Sequence, residues 1–128
     1  MKTKYSRDYK PSAPRIRATL FTRLGEYKLE LIVDTGFSGG ILIPYQLYSK
    51  LGLALFEVPD RYYGVLPIGV QIPLHTALAE VNIGNLRFKT HIHSHPLLNK
   101  KLIGRELLNQ MKILLNGPME ELEIIEEY

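Results

Sequence analysis

A mostly-β, barrel-like single domain is the fold class this chain predicts, and three features of the sequence predict it. Several short segments alternate apolar and polar residues, the period-2 pattern of strands with one buried face. Turn signals built from Gly, Pro and Asn break these segments at short intervals, and only two stretches, both short, read as helix. The chain has 128 residues, a length that fits one hydrophobic core.

Residues 1–14 are polar, lack periodicity and contain Pro11 and Pro14, so they are expected to form a flexible basic arm ahead of a domain at 15–128. From Arg15 the pattern alternates, with Ile16, Ala18 and Leu20 on one face and Arg15, Arg17 and Thr19 on the other. Leu24-Gly25-Glu26 reads as a turn, and Lys28–Val33 as a second strand with Leu29, Leu31 and Val33 inward. Asp34-Thr35-Gly36 interrupts it before the apolar Ile41-Leu42-Ile43. Pro44 suits a helix start and Gly52 a helix end, so Pro44–Leu51 is expected to be a short helix packing through Leu47 and Leu51.

Residues 57–75 are rich in Pro, Gly and aromatics and read as a hairpin with an exposed tip. Two strands, Thr76–Ile83 and Leu86–Ser94, should join through Gly84-Asn85. A second short helix at Arg105–Met111, a strand at Lys112–Leu115, a turn at Asn116-Gly117 and a last strand at Glu121–Ile125 complete the reading. There is no internal repeat.

Composition narrows the function. No apolar run approaches the roughly 18 residues of a membrane span, and the charged start lacks the apolar stretch of a secretory signal. With no cysteine there is no disulfide, thiolate nucleophile or cysteine-based metal site, and a cytoplasmic protein is the simplest expectation. The net charge is only +3. Basic residues crowd the start and acidic ones the end, so the termini could meet each other as readily as a phosphate backbone. No aromatic-basic motif supports nucleic-acid binding.

Asp34 is the candidate for chemistry. An apolar strand runs into Asp-Thr-Gly and leaves through Phe37-Ser38-Gly39-Gly40, which sets a carboxylate at the end of a buried element. The three nearby glycines allow sharp turning and close approach. Taken alone, these residues fit either an Asx turn or a reactive carboxylate.

The segment Leu29-Glu-Leu-Ile-Val-Asp34-Thr-Gly-Phe-Ser-Gly-Gly-Ile-Leu-Ile-Pro44, followed by Leu51-Gly-Leu53, resembles the active-site segment of retropepsin-like (retroviral-type) aspartic proteases. It is most similar to the short prokaryotic predicted aspartyl proteases with a DTGF[ST]G motif. Lys101-Leu-Ile-Gly-Arg-Glu-Leu-Leu-Asn-Gln110 resembles the second motif of that fold, and the likeness spans about residues 15–125. It implies a single-lobe acid-protease barrel with two short helices and a flap hairpin. It also implies an aspartic endopeptidase acting on polypeptides without cofactor or metal. Asp34 would be catalytic, with Thr35, Gly36, Ser38, Gly104 and Arg105 supporting it. Thr35 would tie two active-site loops together, and Gly36 would meet the bound peptide. Asp60–Ile72 would be the flap, with Tyr63, Gly64, Val65, Ile68 and Gly69 at the substrate; Tyr62, Tyr63, Val65, Leu66 and Ile68 would form its apolar underside.

Two carboxylates sharing a proton can hydrolyse a peptide bond, one activating water while the other protonates the carbonyl oxygen. The chain holds one Asp-Thr-Gly, so a homodimer would supply the second Asp34. The alternative is a catalytically inactive dimeric peptide-binding or dimerisation module of the same fold.

Two features depart from the retroviral pattern. Ser38 stands where an acidic partner of the motif arginine is usual, leaving Arg105 without it, and the chain continues past the strand that ends the retroviral one. The alternating His91, His93 and His95 have metal-ligand spacing, but the plainer reading is an exposed strand face beside Lys89, with Phe88 and Ile92 buried opposite. Their place before Pro96–Leu98 suits a pH-sensitive role in specificity better than a metal site.

Phe37 follows Asp-Thr-Gly where pepsin-like enzymes have a hydroxyl that stabilises the ionised carboxylate. A cleavage profile measured against pH should therefore peak in mild acid; a maximum near about pH 2 would contradict this.

Overall fold

The computed structural model describes residues 1–126. Ten strands and two short helices follow in order: β1 (Lys2–Lys4), β2 (Arg15–Thr22), β3 (Gly25–Val33), β4 (Ile41–Leu42), α1 (Tyr45–Lys50), β5 (Tyr62–Val65), β6 (Gln71–Ile83), β7 (Leu86–Ser94), β8 (Leu102–Ile103), α2 (Arg105–Leu108), β9 (Lys112–Asn116) and β10 (Glu121–Ile125). A 3₁₀ turn at Leu53–Leu55 follows α1.

Seven strands form one sheet in the order β2-β3-β8-β4-β7-β6-β5. β2 also pairs with β6, at Thr19↔Asn82, Leu20↔Val81 and Phe21↔Glu80, which closes the sheet into a barrel and leaves β5 outside it. Closure removes the open edges that β2 and β6 would otherwise present. The alternation read in the sequence fills the interior: Ile16, Ala18, Leu20, Leu29 and Leu31 are buried, with Val81, Ile83, Ile92 and Ile103 from the facing strands. Val33 is half-buried against this core. Core apolar burial of this kind is the main stabilising term, worth roughly 1.5–3 kcal/mol for each large side chain.

Helix α1 sits where expected, with Pro44 as its cap, but its fully buried residue is Tyr48; Leu51 is buried just past the end and Leu47 only partly. A buried phenol needs a partner, and the Tyr48 hydroxyl donates to Glu57 at 2.9 Å. Two short strands, β1 and β8, carry no readable alternation because each spans at most three residues.

The expected flexible basic arm is instead part of the fold. β1 pairs antiparallel with β10 at Lys2↔Glu123, Thr3↔Leu122 and Lys4↔Glu121, making a second sheet in the order β1-β10-β9. Thr3 and Ser6 are buried, and Ser6 and Ala13 exchange backbone hydrogen bonds of 2.7 and 3.0 Å. The opposite-charged ends meet within the chain: Lys2 and Lys4 lie 3.9 and 3.7 Å from Glu121, and Arg7 lies 3.5 Å from Glu120. Such exposed pairs add little, about 0–1 kcal/mol each. What holds the segment is its ladder and the burial of Thr3. Polar residues gave no signal of this, because a strand that only caps a sheet edge needs a single inward side chain.

Deleting residues 1–5 should lower the thermal unfolding midpoint by several degrees, since one ladder and its buried contacts are lost together. An unchanged midpoint would mean that the segment is a loose arm after all.

Candidate active site

The site is built where two strand ends lie side by side. β3 and β8 run parallel with Ile32↔Leu102 and Val33↔Ile103 in register, and β8 pairs antiparallel with β4. The Asp34 amide donates to the Ile103 carbonyl at 3.0 Å, so the first residue beyond β3 is still held by β8. Asp34 is half-buried, whereas Thr35, Gly36 and Ser38 are exposed. Its Oδ1 accepts from the Gly36 amide at 2.9 Å, and its carbonyl accepts from Phe37 at 3.1 Å. One carboxylate oxygen is thus fixed by the loop, which orients the group without covering it.

The second motif locks onto this loop through backbone. Gly104 N–H donates to Gly40 at 2.8 Å, Arg105 N–H to Phe37 at 2.9 Å, and Glu106 N–H to Gly39 at 3.2 Å. Amides at a helix start lack partners within the helix, and α2 has no side-chain cap; the loop carbonyls take that place. The close approach explains two glycines. A Cβ on Gly104 would run into the carbonyls of Gly39 and Phe37, and one on Gly40 into Thr90 and the His91 carbonyl. Arg105, without an acid at position 38, donates from Nη1 to the Thr35 carbonyl at 2.8 Å. Its charge serves the backbone of the Asp-Thr-Gly loop.

Asp34, Thr35, Gly36, Gly104 and Arg105 are therefore brought together; Ser38 makes no hydrogen bond among the described residues. The residues read as a flap form the expected hairpin, β5 against the start of β6, with Tyr62↔Leu74 through Val65↔Gln71 paired. Its turn is closed by Leu66 N–H to Val70 and Gly69 N–H to Leu66, at 2.9 and 2.8 Å. The expected single apolar underside is corrected by strand geometry, because successive side chains face opposite ways. Tyr62, Gly64 and Leu66 lie on the half-buried side, while Tyr63, Val65 and Ile68 are exposed at 52%, 67% and 82%.

The histidines differ from expectation too. His93 is buried and His91 half-buried, their rings stacked 6.0 Å apart, so this face of β7 is covered. What covers it is a set of groups that no motif marked. Phe37 meets the His93 ring edge-on at 5.8 Å, and Tyr62 lies against both histidines at 4.9 and 5.3 Å. His95 lies past the strand end, accepting from the Leu97 amide at 3.0 Å. Among the described residues no three His, Asp or Glu side chains converge as metal ligands.

Glu106 points into this cluster. Its Oε2 accepts from the Thr90 hydroxyl at 2.5 Å and the His91 amide at 3.0 Å, while Oε1 lies 2.7 Å from His91 Nδ1. Burial alone would raise its pKa, but these hydrogen bonds outweigh burial and hold the carboxyl below the usual range. His93 is pushed down to about 4, mainly by burial and then by neighbouring His91, against the pull of Glu106.

His93 thus stays neutral in the folded chain down to about pH 4, whereas the unfolded chain takes up its proton near 6.5. Acid therefore favours unfolding: this contribution is full above about pH 6.5, falls as the pH drops towards 4, and levels off below. Between pH 7 and 4.5 the chain should lose roughly 2–3 kcal/mol on this account. Urea unfolding of His93→Gln should show a loss smaller by that amount; an equal loss would show that His93 does not titrate against the fold.

No family model matches the sequence, and no curated protein matches it. Solved structures do. A retropepsin-like aspartic protease from Rickettsia conorii superimposes with a TM-score of 0.60 at 23% identity, over 95% of this chain and 86% of that one. The retroviral protease-like domain of Ddi1 from Leishmania major gives 0.56 at 16% identity, over 90% of each chain. The EIAV protease, solved with an inhibitor, gives 0.54 at 16%, over 84% and 93%. At such identities the likeness concerns architecture, and it joins with the closed barrel and the paired motif loops in one conclusion: the chain has the retropepsin-like fold.

Proposed function

We propose that the chain is an aspartic endopeptidase whose active site takes one Asp34 from each of two identical subunits. The observation that carries this is the seating of Asp34: a half-buried carboxylate, oriented by the Gly36 amide, on a loop locked from behind by Gly104 and Arg105. The fold shared with three protease or protease-like structures supports it. One such loop per chain calls for a second copy, and an isologous contact brings like residues together at its axis.

In the proposed reaction one Asp34 takes a proton from water as the water attacks the peptide carbonyl. The other, protonated, donates to the carbonyl oxygen; the amide nitrogen is then protonated as the C–N bond breaks. Two carboxylates this close cannot both ionise freely, so the pair shares one proton. Arg105 keeps the loop in shape by holding the Thr35 carbonyl. The β5–β6 hairpin would close over an extended polypeptide, whose main chain can add to a strand edge. The termini neutralise their own charges within the chain, which leaves a basic nucleic-acid arm without its basis. Among the described residues no helix is long and apolar enough to cross a membrane; a cytoplasmic location is part of this proposal and agrees with a chain that carries no cysteine.

Asp34→Asn should abolish cleavage of an unfolded protein while leaving fold and dimer intact, because an amide cannot pass protons. Mixing wild type with an equal amount of this variant, under subunit exchange, should cut activity per wild-type subunit to about half. A variant that cleaves at the wild-type rate, or a mixture that keeps full activity with exchange confirmed by labelling, would overturn the shared site. A wild type that dimerises and binds peptide but never cleaves would point to the inactive module.

A further inference from the structure

The residues of α2 face two ways. Arg105 holds the Asp34 loop, and Glu106, the next residue, reaches β7. From His91 the connection continues, because His91 Nε2 lies 3.0 Å from the hydroxyl of Tyr62, the first residue of β5. An ionised carboxylate only accepts hydrogen bonds. Glu106 therefore requires the proton of a neutral His91 to sit on Nδ1, which leaves Nε2 as acceptor for the Tyr62 O–H. The chain of bonds has one direction: Tyr62 to His91 to Glu106.

Tyr62 is the root of the hairpin. Beyond it, Tyr63, Val65 and Ile68 are exposed and the turn makes only its own bonds. β5 pairs with β6 alone. The Tyr62 hydroxyl is the one side-chain hydrogen bond from residues 62–70 to the barrel among the described residues.

We propose that Glu106 and His91 are positioning residues for the flap: Glu106 sets the His91 tautomer, His91 holds Tyr62, and α2 thereby fixes the flap root and the Asp34 loop from one turn of helix. This rests on reading the hairpin as a flap, but its test needs no substrate. Thr90 Oγ1 and the His91 amide, both on Oε2, hold Glu106 in place for the task and have no other partner in the network. The Phe37–His93–Tyr62 ring contacts run beside the relay and keep the Tyr62 ring near even without its hydroxyl.

Tyr62→Phe keeps the ring and deletes the hydroxyl. His91→Phe keeps a ring against Tyr62 and His93 and deletes both side-chain hydrogen bonds. Amide hydrogen exchange of ligand-free protein should speed up at residues 62–65, 71, 72 and 74 by roughly fivefold in each variant, about the worth of one hydrogen bond. The double variant should be no faster than either single one, because both break the same chain. Nitrogen NMR of wild-type His91 should show the proton on Nδ1, and Glu106→Gln, whose amide NH₂ can face Nδ1, should move it to Nε2. Unchanged flap exchange in folded variants would overturn the proposal. So would acceleration spread evenly over the barrel, additive effects in the double variant, or a wild-type His91 protonated on Nε2. Measuring cleavage by wild type and Asp34→Asn alongside the exchange separates the two readings: an Asp34→Asn protein that still cleaves, with the flap effects present, fails the catalytic reading alone, and absent flap effects, with cleavage lost only in Asp34→Asn, fail this one alone.

Discussion

Three amides at the start of α2 donate to three carbonyls of the loop after Asp34, and most of what this molecule offers chemically depends on that lock. Each backbone polar group removed from water needs a partner, and here two irregular segments satisfy each other instead of a ladder. The parallel pairing of β3 with β8 delivers them to the same place; the backbone bonds then fix their separation. Side chains come last, Arg105 donating to the Thr35 carbonyl and the Asp34 carboxylate accepting from the Gly36 amide. A carboxylate on a loop tied down this way keeps its direction without being buried, as the proposed exchange of protons with water would require.

How much of this was readable follows from range. Alternation along Ile16–Leu20 and Leu29–Leu31 reports which face meets the core, and that face is a local property, so those strands and the barrel class were legible. The Asp-Thr-Gly and Gly-Arg segments were legible through their resemblance to known motifs, and at Gly104 the structure gives the physical reason for the glycine, since a Cβ there would meet the carbonyls of Gly39 and Phe37. Strand β1 was not, since its pairing with β10 is decided more than a hundred residues away and needs only Thr3 to face inward. The expected exposed histidine face failed for a similar reason: whether a β7 side chain meets solvent depends on Tyr62 and Phe37, both distant in sequence. Glu106 passed unnoticed beside the more familiar Arg105, though its partners Thr90 and His91 make it the better-connected of the two.

The same cluster gives acid two opposed effects. The proposed chemistry by paired carboxylates wants a proton available, whereas His93, buried beside Phe37, resists one, and its protonation is paid for in folding stability. Glu106 acts in the same sense, because its lowered range reflects hydrogen bonds that a protonated carboxyl would weaken. The acid limit of such a protein is set by its scaffold as much as by its reacting groups.

Gly40 and Gly104 touch neighbouring backbone so closely that neither can gain a single carbon. Lineages carrying this chain can therefore drift very little around the carboxylate: a Cβ at Gly40 needs simultaneous relief from β7 and α2, and one at Gly104 from the carbonyls of Phe37 and Gly39. At the hairpin tip the situation reverses, since Val65 and Ile68 project into open solvent. Divergence is free to collect at the tip and barred from the loop. Under the proposed function, descendants of such a chain would come to prefer different polypeptides long before they altered how one is cut.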